Sequence, residues 1–190
     1  MGQRAAEFFS RGFEAKKRAE YSGKEYEFDL FGTIKTGPAF TKEFDRLGGD
    51  VKTGYLPYNK SIELVKRLQP WDPTNPTRDF LRELRLALIE ELGIEAGQEN
   101  DVKVYTAVGS PLDLKHGVDT FIEVTTEEGR QRVIRRVTLD ISLNPRKASG
   151  HKADVVINEE IPPPEENEDK YLARVAETAK QMIKSLEAYS

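Results

Sequence analysis

Between His116 and Asn144 the chain reads HGVDTFIEVTTEEGRQRVIRRVTLDISLN, two runs of alternating residues joined through a glycine. In the first run, Gly117 to Thr125, Val118, Thr120, Ile122 and Val124 alternate with Asp119, Phe121 and Glu123. In the second, Arg132 to Leu143, one face carries Val133, Val137, Leu139, Ile141 and Leu143, interrupted by Arg135. Its other face carries Ile134, Arg136, Thr138, Asp140 and Ser142. Period-two alternation is the pattern of a half-buried strand, so the stretch predicts a β-hairpin. Glu127-Glu128-Gly129-Arg130 suits a two-residue loop with Gly129 at positive φ. In that register Glu127 faces Arg130, Asp119 faces Thr138, and Asp140 lies diagonal to Asp119 on the same face. Diagonal neighbours sit about 7–8 Å apart at the backbone, within reach of a shared metal ion. A slip of one residue would send the two acids to opposite faces.

The aspartates matter because little else here can carry chemistry. Cysteine is absent, which removes disulfides, thiolate catalysis and Cys-ligated zinc together. With two histidines, a metal site must be built mostly from carboxylates, and that favours hard ions such as Mg²⁺ or Mn²⁺. No GxxxxGK[ST], strand-linked GxGxxG, HExxH or GxSxG occurs. Arginines and aromatics are not interleaved as in a single-strand-binding surface. The net charge of −4 gives no global attraction to nucleic acid. Locally, Lys115, Arg130, Arg132, Arg135, Arg136, Arg146, Lys147 and Lys152 outnumber Asp119, Glu123, Glu127, Glu128 and Asp140. A basic centre suits a polyanion, and it equally serves the solubility of a sheet surface.

At 190 residues the chain can hold one sizeable core, or one core with an appendage. It has no apolar run of ~18 residues and no charged-then-apolar leader, so the expectation is a cytoplasmic protein without a membrane span. In order, residues 3–20 read as a helix with an Ala5, Phe8, Phe9, Phe13 stripe, and residues 25–36 as a short strand or ordered extension. Brief helices are expected over Thr41–Leu47 and Ser61–Leu68. Residues 1–75 form an N-terminal accessory region in this reading, and residues 76–190 the core domain. The strongest helix starts at Asn75 and Pro76 and ends at Gly93, with Leu81, Leu84, Leu88 and Leu92 on one face. Glu91 falls about 40° from the centre of that stripe, either with its head in water or aimed at a polar pocket. Strands follow over Asp101–Val108, the hairpin and Lys152–Ile157, with Gly109-Ser110-Pro111 a loop and Arg146–His151 a basic loop. An acidic stretch around Pro162-Pro163-Pro164 leads to a closing helix, Lys170–Tyr189. The fold class is α+β or α/β: a mixed four-stranded sheet, antiparallel meander plus a fourth strand, flanked by helices.

A helix with an inward glutamate, a strand opening Gly117-Val118-Asp119 and a strand ending Asp140-Ile141-Ser142 together resemble the PD-(D/E)XK nuclease superfamily, over roughly Thr77 to Ile157. The resemblance implies that Asp119 and Asp140 hold Mg²⁺ or Mn²⁺, with Glu91 as the optional helical acid. Two departures stand out. Ser142 occupies the place of the motif lysine, and about eight loop residues replace the helix before the last strand. Lys147 or Lys152 could supply the missing cation, and Lys152 is preferred because a strand fixes its direction.

The resulting expectation is a metal-dependent nuclease acting on DNA, with Asp119, Asp140 and Lys152 catalytic and Arg136, Arg146 and Lys147 contacting nucleic acid. The contrasting expectation is an inactive or unrelated α+β module that binds nucleic acid or a protein partner. In a third, the Phe-rich first helix and the acidic tail dock into a larger assembly. Simpler roles fit the same residues: Asp119 as a strand cap, Asp140 as a partner of Arg136, His116 and His151 as surface groups.

Overall fold

The computed structural model describes residues 23–128, 131–142 and 153–188. Its order is α1 (Gly23–Phe31), α2 (Pro38–Arg46), α3 (Tyr58–Arg67), α4 (Asp79–Glu91), β1 (Val102–Thr106), α5 (Pro111–His116), β2 (Thr120–Glu128), β3 (Gln131–Ile141), β4 (Val155–Ile157) and α6 (Glu168–Ala188). The strands form one sheet in the order β1-β2-β3-β4, antiparallel at the first two junctions and parallel at the third. This is the mixed, helix-flanked α+β sheet that the alternation predicts.

The base of the sheet is buried on both faces rather than one, while the far end of the β2–β3 ribbon, with Arg132 and Ile134, is open to solvent. On the first face Val104, Ile122, Val124, Val137, Leu139 and Ile141 pack with Leu81, Leu84 and Leu88 of α4 and with Val175, Ala179 and Met182 of α6. On the second, Tyr105 and Phe121 pack with Ile62, Leu64 and Val65 of α3, Phe44 of α2 and Leu112 of α5. Residues expected to form an accessory layer thus line the same sheet. Ile34, Leu47, Leu56 and Leu68 belong to the second cluster, and Gln69 closes the seam by donating to Thr106 O and accepting from Thr106 N.

Three local expectations are corrected. Residues 25–36 are not a strand; their first half is α1. Tyr26, Phe28 and Leu30 pack partly and Phe31 fully, so the apparent alternation belongs to a helix wedged on several sides. Gly32, at φ 66°, ends it in the left-handed conformation. The main helix starts at Asp79, not Pro76. Asp72 Oδ1 accepts from Thr74 N and Oγ1, and Pro73 O accepts from Val104 N, which holds the chain before it as a turn against β1. The loop expected over Gly109-Ser110-Pro111 gives way at Pro111 to a helix, Pro111–His116: Ser110 Oγ accepts from Leu112 N and Asp113 N, Pro111 sits in the first turn, and Gly117 caps the end at φ 65°.

The hairpin register is Glu127↔Arg132 and Glu128↔Gln131, in place of Glu127 opposite Arg130. That moves the partner of each β2 residue by two, so side-chain parity survives, and Asp119, just before β2, bonds to the residues on either side of Asp140, donating from N to Leu139 O and accepting from Ile141 N at Oδ2. The turn expected at Gly129, the basic loop from Arg146 to His151, Lys152 and the helix over residues 3–20 lie outside the described residues.

The α1 end carries a sharp test. A Cβ at Gly32 would stand 2.8 Å from Trp71 Cη2, at a φ that L-residues rarely adopt. Gly93, at φ 62°, has nothing within 4 Å of such an atom. Gly32→Ala is expected to cost about 2–4 kcal/mol and Gly93→Ala about 1 kcal/mol in urea unfolding. Equal losses would contradict the packing of α1 against Trp71.

Candidate acidic site

The short helix α5 and the first residues after it assemble the site. The Ser110 cap places Asp113 in the first turn of α5, where its Oδ2 accepts from Gly109 N at 2.8 Å. Gly117 reverses the chain, and Val118 N returns to Leu112 O. Asp119 is then pinned through its backbone from both sides: its N donates to Leu139 O, and its O accepts from Ala107 N. Its side chain, in a residue only 2% exposed, accepts from Ile141 N at Oδ2, 2.8 Å away.

Two acids that the sequence reading missed converge on it. Glu27 of α1, Asp113 and Asp119 each offer a carboxylate oxygen, and these atoms lie within 4.8 Å of one another. Glu27 and Asp113 are half-buried, as is Asp140 on the facing strand. Burial pushes the Asp119 carboxyl up to about 9; the Ile141 N–H pulls it down, but the charges of Asp140, Glu27 and Asp113 add to the rise. The three carboxyls of Glu27, Asp113 and Asp119 offer only oxygen donors, the kind that hard divalent cations select, and Asp140 adds its charge nearby.

The same face of β2 carries the opposite solution one strand segment away. Glu123, 3% exposed, receives Lys66 Nζ at 2.7 Å on Oε2 and Arg136 Nη2 at 2.6 Å on Oε1. Burial pushes this carboxyl up as well, but the hydrogen bonds and charges of Lys66 and Arg136 outweigh it and hold Glu123 below its ordinary range.

The other expected site residues fall in several places. Arg136 is engaged by Glu123, with its guanidinium 5.3 Å over the Phe121 ring. Glu91 ends α4 in the helix layer of the other sheet face, 44% exposed and 3.9 Å from Lys180 Nζ, so it does not join Asp119. Ser142 is buried, its N donating to Ile157 O at the end of β4. His116 is not a surface group: it is buried, Nε2 lies 2.9 Å from Leu56 O, and the rings of Tyr55 and Tyr58 stand 5.7 and 5.5 Å away. Lys152, Arg146, Lys147 and His151 lie outside the described residues. Glu27 was hidden by reading its segment as a strand; in helical phase it sits one turn before the fully buried Phe31. Asp113 was signalled by Ser110-Pro111 and Gly117, which bracket a capped helix.

Comparison of the chain with protein-family models, curated proteins and solved structures finds no match in any of the three. No helix among the described residues is long and apolar enough to cross a membrane.

The two buried acids predict opposite responses to mutation. Asp119 has a folded-state value of about 9 against an ordinary 3.8, so the folded chain keeps a proton that the unfolded chain loses. Stability therefore falls as pH rises through that window, by at most about 1.4 kcal/mol per unit. Asp119→Asn, free of this loss, is expected to unfold at higher urea than the parent in chelator, with the gap wider at about pH 8 than at about pH 5. Glu123→Gln leaves two cations against a buried amide and is expected to cost about 3–5 kcal/mol. A destabilised Asp119→Asn with a pH-independent gap would contradict the electrostatic account.

Proposed function

We propose that this chain is a divalent-metal-dependent phosphodiester hydrolase acting on DNA. The observation that carries the proposal is the buried Asp119, bonded to Leu139 and Ile141 on either side of Asp140 and meeting Glu27 and Asp113 within 4.8 Å. Carboxylates brought this close repel one another, and a bound cation relieves the repulsion. Mg²⁺ or Mn²⁺ fits the donor set, with Asp119, Asp113 and Glu27 holding it and Asp140 beside them. When bound, such an ion activates a coordinated water and offsets charge building on phosphoryl oxygens.

The chain's own residues supply position. Asp119 is fixed by three backbone partners, Leu139, Ala107 and Ile141, so its carboxylate cannot swing away from the site. The Gly109 N–H orients Asp113 in the same way. Asp140 is half-buried on the next strand, and its charge acts on Asp119. Ser142 cannot supply the positive charge that a lysine would, and Lys152 is the residue proposed to do so.

The buried Ser142 also gives weight to a second reading, a related scaffold that binds nucleic acid or a protein without cutting. Metal separates the two. In the hydrolase reading Mn²⁺ raises the unfolding temperature of the parent and not of Asp119→Asn. It also supports cleavage of single- or double-stranded DNA that falls at least about 100-fold in Asp119→Asn and in Asp113→Asn. Absence of both the thermal shift and metal-dependent cleavage would overturn the proposal and leave the binding module.

A further inference from the structure

An open cleft of about 400 Å³ is lined by Asn59, Ile62, Glu63, Lys66, Arg67 and Arg136, where α3 crosses the β2–β3 ribbon. We infer that this cleft binds phosphate groups of a polyanion, as a second contact point apart from the acidic site. It rests on the hydrolase reading for the kind of polyanion, but its geometry is independent. Glu123 at its floor lies four residues along β2 from Asp119, about 13 Å at strand spacing.

The cleft presents cations outward because its compensating charge is sunk beneath them. The Glu123 side chain is 4% exposed, whereas Lys66 and Arg136, which grip it, are 38% and 31% exposed. One carboxylate cannot use all their donors: an ammonium has three N–H groups and a guanidinium five. Lys66 Nζ gives one bond to Oε2, and Arg136 gives Nε and Nη2 to Oε1, so further N–H groups remain for a ligand. Aromatic faces steady both heads, Tyr105 under Lys66 at 5.5 Å and Phe121 under Arg136 at 5.3 Å. A cation already immobilised by a buried carboxylate and a ring loses little further freedom on meeting an anion, which lowers the cost of binding.

Arg67 adds a third head at the rim, 49% exposed and held by Glu63 Oε1 through Nη2 at 2.9 Å. Lys66, Arg67 and Arg136 against Glu63 and Glu123 leave one positive charge in excess, and only Glu63 of the two acids reaches solvent, at 44% exposure. Glu63 therefore acts as an internal competitor for the ligand, holding Arg46 and Arg67 together. Tetrahedral oxyanions with several acceptor oxygens match such converging N–H donors better than neutral ligands do.

The test measures binding in chelator, where cleavage cannot occur, by anisotropy of labelled single- and double-stranded oligonucleotides and by thermal shift with inorganic phosphate alone. Arg67→Gln and Asn59→Asp change exposed residues and spare Glu123's partners. Each is expected to weaken oligonucleotide binding at least about threefold, and Arg67→Gln to lower the salt slope by about one. Glu63→Gln is expected to tighten binding by a similar factor, an outcome that misfolding would not produce. All three variants binding within about twofold of the parent would overturn the inference. A phosphate-dependent thermal shift lost in Arg67→Gln, without oligonucleotide binding, would keep the cleft and make its ligand a small phosphorylated molecule. Cleft-dependent oligonucleotide binding without Mn²⁺-dependent cleavage would remove the hydrolase reading and leave the cleft. Unchanged binding in the variants with cleavage intact would do the reverse.

Discussion

Where helices cover both faces of the sheet, the side chains at its base must be buried, and two acids, Asp119 just before β2 and Glu123 within it, are buried there. That constraint organises the rest of the molecule. Glu123 is neutralised from within by Lys66 of α3 and Arg136 of β3, which ties the helix layer to the hairpin by charge, with Lys66 also over the Tyr105 ring of β1. Asp119 receives a backbone N–H from Ile141, and the charged groups acting on it among the described residues are further acids. One buried carboxylate has its counter-charge built in, and the other lies among further carboxylates.

The fold serves this difference economically. The backbone of Asp119 completes ladders to β1 and β3 at once, so the acid cannot move without opening the sheet. The turn of α5 that ends in Gly117 is what delivers it there, and the same turn carries Asp113. Helix α1, closed by Gly32 and held at Tyr26 by Ile161, brings Glu27 from the other end of the chain. The acidic group and the basic cleft then share one sheet face, with Phe121 between their anchoring residues. Such a layout suits a polyanionic chain held at one point and processed at another.

The hairpin was legible because period two is a strong signal and parity tolerates error. The register lies two partners away from the one the turn suggested, yet Asp119 and Asp140 still share a face. Burial of both faces was less legible: Asp119, Glu123 and Thr138 look like solvent-side residues until their partners from α3, β3 and the Asp154 carboxylate, which accepts from Thr138 Oγ1, are in place. Helical phase located the buried stripe of α4, but it cannot say which sheet face the stripe covers, and Glu91 went to the wrong side of the sheet for Asp119. Glu27 and Asp113 join Asp119 only through tertiary packing, which no local pattern encodes.

The claim on which the account turns is that Asp119 is a buried carboxyl whose charged neighbours among the described residues are acids. Carbon-detected NMR of aspartate-labelled protein, titrated in chelator and again with Mg²⁺, reads that state directly. The account predicts that the Asp119 carboxyl titrates far above the ordinary carboxylate range without metal and moves down sharply when Mg²⁺ is added. Titration near the ordinary value of 3.8, unchanged by Mg²⁺, would contradict it.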